Sequence, residues 1–459
     1  MNMDYSLEHI CNKNDSDTSL FEKVNTFLYF GYLPGAVQNG WEMPIDQPLV
    51  ESGVDEFGDK SFGQLVEIGA ELFLSLFDRP DVKNAENIVL LSGGLDSRML
   101  LGGLIRKVGK GNVRTASIGV PGMLDVTFAR QVSEATDVPH HLIDSRDQDF
   151  SIERMEKEAQ RSTSWFNLIG NSINLIHSRF GEDKIYWDGV LGGTLTRGTG
   201  RGEQADAKEA RRKFIEKAQS TKTLLSHSFF DPDQSVPQTL PISPALVSPL
   251  DQLRLGIKYP YQLIPSHLPT QYRCEAPYTH PAWLRFILGV PGSMRQNQCL
   301  FQAIGRRLFP DLMALPVKRS YGLPIGAPMW QKKLASARLK IPLGFKRMLG
   351  RYPGPPPTAN QMDWAHEIRY HTDLNTLIGN LIKSLQLRGT VPWIAIDRYW
   401  RAHQTGRRDY SREMMLLSSL ELFLRSEPIT DDAPDHQASN SSTKMQRALH
   451  AETRQSDLA

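Results

Sequence analysis

The stretch from Asn87 to Val108 constrains this chain more than any other. NIVLL (87–91) is a short apolar run, SGGLDS (92–97) comes next, and RMLLGGLIRKV (98–108) reads as a helix. A strand running into a glycine loop and then a helix makes an anion cradle. Glycines let backbone N–H groups crowd around phosphate oxygens, and the helix points its positive end at them. Ser92 and Ser97 add hydroxyl groups, while Gly93, Gly94 and Leu95 supply backbone donors. Asp96 is the odd member, because a carboxylate beside phosphates is repulsive unless a cation mediates. A Mg²⁺ ion between Asp96 and the phosphates removes that conflict. The loop is not the GxxxxGK[ST] pattern of phosphate-transferring NTPases.

The next sixty residues repeat the alternation. VRTASIGV (113–120) reads as a second strand, LDVTFARQVSEATD (124–137) as a second helix and PHHLID (139–144) as a third strand. After a helical stretch (151–180), KIYWDGV (184–190) resembles one more strand entering a glycine-rich loop. Strands and helices alternating at this spacing predict an α/β fold, a parallel sheet with helices on both faces. The later part is expected to be mainly helical.

Composition narrows the class. Lys and Arg number 53 against 51 Asp and Glu, for a net charge of +2. That balance argues against attachment to nucleic acid by bulk charge. The hydrophobic fraction of 40% suffices for packed cores. Cys11, Cys274 and Cys299 are too sparse for a disulfide framework and form no CxxC pair. No apolar run approaches the ~20 residues that span a membrane. The polar, acidic N-terminus lacks the pattern of a secretory signal. A soluble cytoplasmic protein is the expectation.

Elsewhere, FLYFGYLPGAV (27–37) looks like a buried helix or strand ending in a turn, and QLVEIGAELFLSLF (64–77) has helical spacing. The charged segment 200–216 reads as a solvated helix. From 241 to 345 helical patterning is broken by prolines. RYPGPPPTAN (351–360) reads as a stiff linker or exposed loop, and 361–426 as helical. The span 427–459 has no aromatic residue and is expected to be a disordered tail.

The loop resembles the SGGxDS loop of the ATP pyrophosphatase superfamily. With SIGVPG, LDVTFARQVSEATDVPHHLID, APYTHPAWLRFILGVPGSM (276–294) and LFQAIGRRLFPDLMALPVKRSYGLPIG (300–326), the chain is similar to the synthetase domain of asparagine synthetases. The resemblance implies an adenine nucleotide α-hydrolase-like fold, ATP and Mg²⁺. It implies an amide-bond ligase that forms AMP and pyrophosphate through an acyl-adenylate. Ser92, Gly93, Gly94, Leu95 and Ser97 would hold the pyrophosphate, and Asp96 the metal. Ser117, Ile118 and Gly119 would line the adenine pocket. Lys318 falls on the lysine the family uses to stabilise the adenylation transition state.

The chain departs from the family in three places. Residue 2 is Asn2, not the glutaminase cysteine, and a glutaminase would need roughly twice the residues that precede the first strand. The expected division is therefore a shortened, inactive glutaminase-like remnant (1–80), a synthetase domain (81–426) and the tail. The family's GDGxDE loop becomes WDGVLGGT (187–194), in which Asp188 survives as a candidate metal ligand without a following acid. On the acceptor side Arg273 stands in place of the family's glutamate, with Glu275 two positions further on, and His280 in place of its aspartate, so aspartate is not the expected substrate. The resemblance extends to β-lactam synthetases and lasso-peptide cyclases, which also do without glutamine. Expected partners are a small-molecule or peptide carboxylate and an amine, intramolecular or ammonia. A homodimer or biosynthetic partner proteins stay open, with neither membrane nor nucleic acid. Two alternatives remain at this point: a tRNA-modifying adenylase of the same superfamily, and a non-catalytic asparagine synthetase-like binding protein.

Overall fold

The computed structural model describes residues 20–34, 56–162, 165–196, 206–221, 223–225, 230–238, 247–349, 354, 357–359 and 362–426. The expected tail at 427–459 and most of the proline-rich 351–360 lie outside them.

Helices α1 (Leu20–Phe30) and α2 (Phe62–Ser75) precede the first strand. Ser61 starts α2 with a capping box: its hydroxyl accepts from Gln64 N, while the Gln64 side chain reaches back to Ser61 N. Then come β1 (Asn87–Leu90), α3 (Leu95–Val108), β2 (Val113–Gly119), α4 (Leu124–Thr136) and β3 (His140–Asp144). Helices α5 (Ile152–Arg161) and α6 (Asn174–Phe180) lead to β4 (Ile185–Trp187). Helix α7 (Ala207–Ala218) is less solvated than its charge suggests, because Ala210, Phe214 and Ile215 are buried on one face.

The five-stranded sheet has the order β3-β2-β1-β4-β5, with every neighbour parallel. Strand β5 (Arg273–Glu275) was not legible in the sequence. It is three residues long, carries a charge at each end and shows no alternation. Successive β1 side chains enter different cores: Val89 and Leu91 pack on one side, Ile88 and Leu90 on the other. Burial on both faces is what parallel sheets require. On the first side α3 buries Met99, Leu100, Leu101 and Leu104 completely, each stabilising by about 1.5–3 kcal/mol. Helices α8 (Pro281–Gly289) and α9 (Cys299–Leu308) belong to that core. After them comes α10 (Met329–Met348).

A helical layer closes the chain, with α11 (Thr372–Arg388) and α12 (Ser411–Ser426). Helix α1 joins this layer. Phe27 meets Trp165 and Phe423 edge to face at 5.5 and 6.1 Å, and Trp165 stacks on Phe423. The mainly helical C-terminal part expected from the sequence is present.

Candidate active site

The sheet order reverses at β1: β2 lies on one side of it and β4 on the other. In open α/β sheets ligands bind beyond the carboxyl ends of the strands at such a switch point. Two loops leave β1 and β4 there, residues 91–94 and 188–191.

Leu91 N donates to Ala116 O at 2.7 Å, which ties the first loop to β2. Helix α3 starts inside the SGGLDS motif, at Leu95, with Gly94 as N-cap. Gly94 has no capping side chain, so the helix end is open to an anionic ligand. Ser92 N donates to Ser97 Oγ at 3.0 Å, and Gly94 N to Ser92 Oγ at 3.2 Å. The loop is thus pre-shaped by its own hydroxyls. Gly93 N donates to Asp125 Oδ1 at 3.1 Å.

Asp96 faces the second loop. Its Oδ2 accepts from Gly193 N at 2.9 Å. The glycines of that loop are explained by this approach: a Cβ on Gly192 would lie 2.7 Å from the Tyr278 ring and 2.9 Å from Asp96 Cγ. A Cβ on Gly193 would lie 2.9 Å from Asp96 Oδ2. Leu191 bends the loop with a left-handed φ of 67°, a conformation uncommon for leucine. Tyr278, fully buried, donates to Asp96 O at 2.8 Å. Burial and the Asp96 charge raise its pKa well above the usual phenol value.

Asp188 is buried and turned away from this contact. Its Oδ1 accepts from Val190 N at 2.7 Å, and its Oδ2 pairs with His267 Nδ1 at 3.0 Å. Burial opposes protonation of His267, but the charge and hydrogen bond of Asp188 outweigh it and raise the imidazole pKa. Among the described residues no group of three or more His, Cys, Asp or Glu side chains gathers to hold a metal. A single carboxylate beside a phosphate site is chemistry that suits Mg²⁺, and Asp96 is the residue here that would hold it.

Lys318 comes to this loop from far along the chain. Its N–H donates to Gly93 O at 3.2 Å, and its ammonium pairs with Asp125 Oδ2 and donates to Ala359 O at 3.2 Å. Arg98, fully buried, fastens the segment before it. The guanidinium donates to Leu312 O at 3.2 Å, Leu315 O at 3.0 Å and Pro316 O. Burial pushes its pKa down to about 10, so it stays charged at neutral pH. Arg98, Asp125 and Tyr278 were not singled out from the sequence. A charged residue inside the apolar run of α3 was the available signal for Arg98.

Ser117, Ile118 and Gly119 lie at the end of β2 beside the loop. Ser117 Oγ is within 3.0 Å of His140 Nε2, and a Cβ on Gly119 (φ 151°) would meet Val126 at 3.0 Å. The acceptor-side candidates fall elsewhere. Glu275 and His280 line a cleft of about 380 Å³ at the β5 edge, with Arg79, Trp187 and Cys274. Arg79 holds Glu275 at 2.6 Å, Arg273 pairs with Asp81, and His280 Nδ1 caps α8 through Ala282 N at 3.3 Å. Burial and the nearby Arg79 charge lower the His280 pKa. Tyr278 links this segment back to Asp96.

No curated protein matches the chain. Residues 82–158 match the family described as asparagine synthase. The matched span carries β1 to β3 and the SGGLDS loop, and it supports an ATP-dependent ligase of that general kind. Around the switch point, residues 82–158 are therefore similar to the asparagine synthase family.

Proposed function

We propose that the protein makes an amide bond in two steps, through an acyl-adenylate, without hydrolysing glutamine. The observation that carries this reading is the meeting of two distant segments: Lys318 N donates to Gly93 O, so the backbone at the lysine meets the glycine loop. A carboxylate resists amines because its carbon is electron-rich and oxide is a poor leaving group. In the first step a carboxylate oxygen of the substrate attacks the α-phosphorus of ATP, and pyrophosphate leaves. In the second an amine attacks the acyl carbon, AMP departs and the amine loses a proton.

Positioning and electrostatics supply most of such catalysis. The backbone of Gly93 to Leu95 and the hydroxyls of Ser92 and Ser97 bind the pyrophosphate portion. The end of β2, from Ser117 to Gly119, faces the adenine. Lys318 meets the charge developing near the α-phosphate. Asp96 would hold Mg²⁺, which supplies neutralisation of the pyrophosphate charge when bound. In this reading residues 81–426 are the working domain and 1–80 a glutaminase-like remnant. The amine is part of the substrate or is ammonia, and no further acid after Gly193 is needed.

Carboxylate-dependent exchange of pyrophosphate into ATP tests this over a panel of acids. At least one acid should support exchange, and Asp96→Ala and Lys318→Ala should abolish it. Exchange that persists in both variants means that the site is wrongly assigned. Absence of ATP binding by calorimetry with Mg²⁺ present would favour a non-catalytic binding protein.

A further inference from the structure

Helix α10 is weakly embedded among the described elements. None of its described residues is buried along the whole of Met329–Met348, a length of about 30 Å. Its outward side is inverted relative to an ordinary surface helix. Trp330, Leu334, Ala337, Ile341 and Met348 recur at the helical period and are all exposed: Trp330 by 66%, Leu334 by 48%, Ile341 by 67% and Met348 by 73%. Lys333 and Lys340 lie along one margin of that stripe and Arg338 along the other, all exposed. From Met329 to Leu349 the sequence holds six basic residues and no Asp or Glu. The less exposed side carries Ala335, Leu339 and Leu343. An apolar midline turned to solvent between cationic margins is the pattern of a helix that lies in a membrane interface.

The arm is tied to the site at both ends. The chain leaves it after Lys318 and Val317, whose N–H groups hold Gly93 O and Leu323 O at 3.2 and 3.1 Å. It returns through Pro357 and Ala359, whose carbonyls accept from Leu124 N at 2.8 Å and from the Lys318 ammonium at 3.2 Å.

We propose that α10 docks the protein on an anionic lipid surface, with the stripe from Trp330 to Met348 inserted among the headgroups and the basic margins on lipid phosphates. This departs from the expectation of no membrane partner. That expectation rested on the lack of a spanning segment, which a helix lying in the plane does not need. A second copy is disfavoured, since two such helices repel each other. A nucleic-acid strand is disfavoured because the outward midline is apolar and its cations are marginal.

Co-sedimentation of the full chain tests this with vesicles of equal parts phosphatidylglycerol and phosphatidylcholine, and with phosphatidylcholine alone. Binding to the anionic vesicles is expected, at least about tenfold tighter than to the neutral ones. Lys333→Glu with Lys340→Glu, and separately Trp330→Ser with Ile341→Ser, should each weaken it about tenfold or more. Lys208→Glu, at an exposed position of α7, should not. All of these positions are exposed, and an unchanged thermal midpoint shows that the variants fold. Equal binding to both vesicles, binding to neither, or full binding by both double variants overturns the proposal. So does binding of bulk tRNA or of polyglutamate through Lys333 and Lys340 where anionic vesicles fail, the first pointing to nucleic acid and the second to an acidic protein partner.

Discussion

Lys318 is ion-paired with Asp125, a residue 193 positions earlier in the chain. The same carboxylate accepts from Gly93 N at 3.1 Å. One side chain at the start of α4 therefore fixes both the glycine loop and the lysine that stands over it. In the proposed function both of its partners belong to the groups that meet the phosphates.

This makes Asp125 a positioning residue. Asp125→Ala frees Lys318 to move and leaves Gly93 N without its acceptor. Pyrophosphate exchange should fall about tenfold to a hundredfold in kcat, since misplaced groups are costly in reactions that depend on positioning. Asp125→Glu keeps the charge and should recover part of the loss. A purely structural role would lower stability and leave kcat of the folded fraction intact, so kcat and the unfolding midpoint should be measured together.

Arg98 gives a prediction about stability. Its guanidinium satisfies three carbonyls of the segment 312–316. Arg98→Leu removes the charge but leaves those part-buried acceptors unpaired, at ~1–3 kcal/mol for each one that water cannot reach. Arg98→Lys offers a single ammonium in place of a planar fork and should rescue little. Urea unfolding of both variants checks this, and a change under ~1 kcal/mol in either would contradict it.

The strand-loop-helix core was legible because its signals are local. Apolar runs, glycines and a helix start sit within one short stretch, so 87–90, 113–119 and 140–144 fall where alternation puts them. Strand β5 was not legible, because three residues between Arg273 and Glu275 take their conformation from pairing with β4. The candidate loop residues 92–97 were picked out by the same local signals. Asp125, Arg98 and Tyr278 were not, since each gains its role from a partner far along the chain. The meaning of the glycines after Asp188 also emerged only in three dimensions: they make room for Asp96 and Tyr278.

That room is itself testable. Gly192→Ala places a methyl group 2.7 Å from the Tyr278 ring and 2.9 Å from Asp96 Cγ, both in the protein interior or at the loop. The contact forces Asp96 or the loop to shift, so nucleotide affinity should fall about tenfold or more while the fold persists. Gly63→Ala is the control: nothing lies within 4 Å of its added Cβ on α2, and it should be neutral or slightly stabilising. Calorimetric ATP titration with Mg²⁺ reads both, and unchanged affinity in Gly192→Ala would mean that the Asp96 contact does not matter for binding.

Acid should weaken the fold through buried histidines. His177 is fully buried, stacks on Tyr272 at 4.8 Å and lies 3.6 Å from Cys274 Sγ. Burial holds its pKa down at about 4, below the ordinary 6.5. His403, also fully buried, is pushed down to about 4 for the same leading reason. In the unfolded chain these groups take up protons at higher pH than in the folded one. Stability is therefore fully present above about pH 6.5, falls as pH drops toward 4, and stops falling from this cause below that. His177→Phe keeps a ring against Tyr272 and removes the titration. The unfolding free energy of the parent chain, read from urea titrations, should decline across this window, and the decline should be shallower in His177→Phe by ~1–3 kcal/mol at its acid end. Parallel profiles for the two chains would show that His177 is not a source of the acid sensitivity.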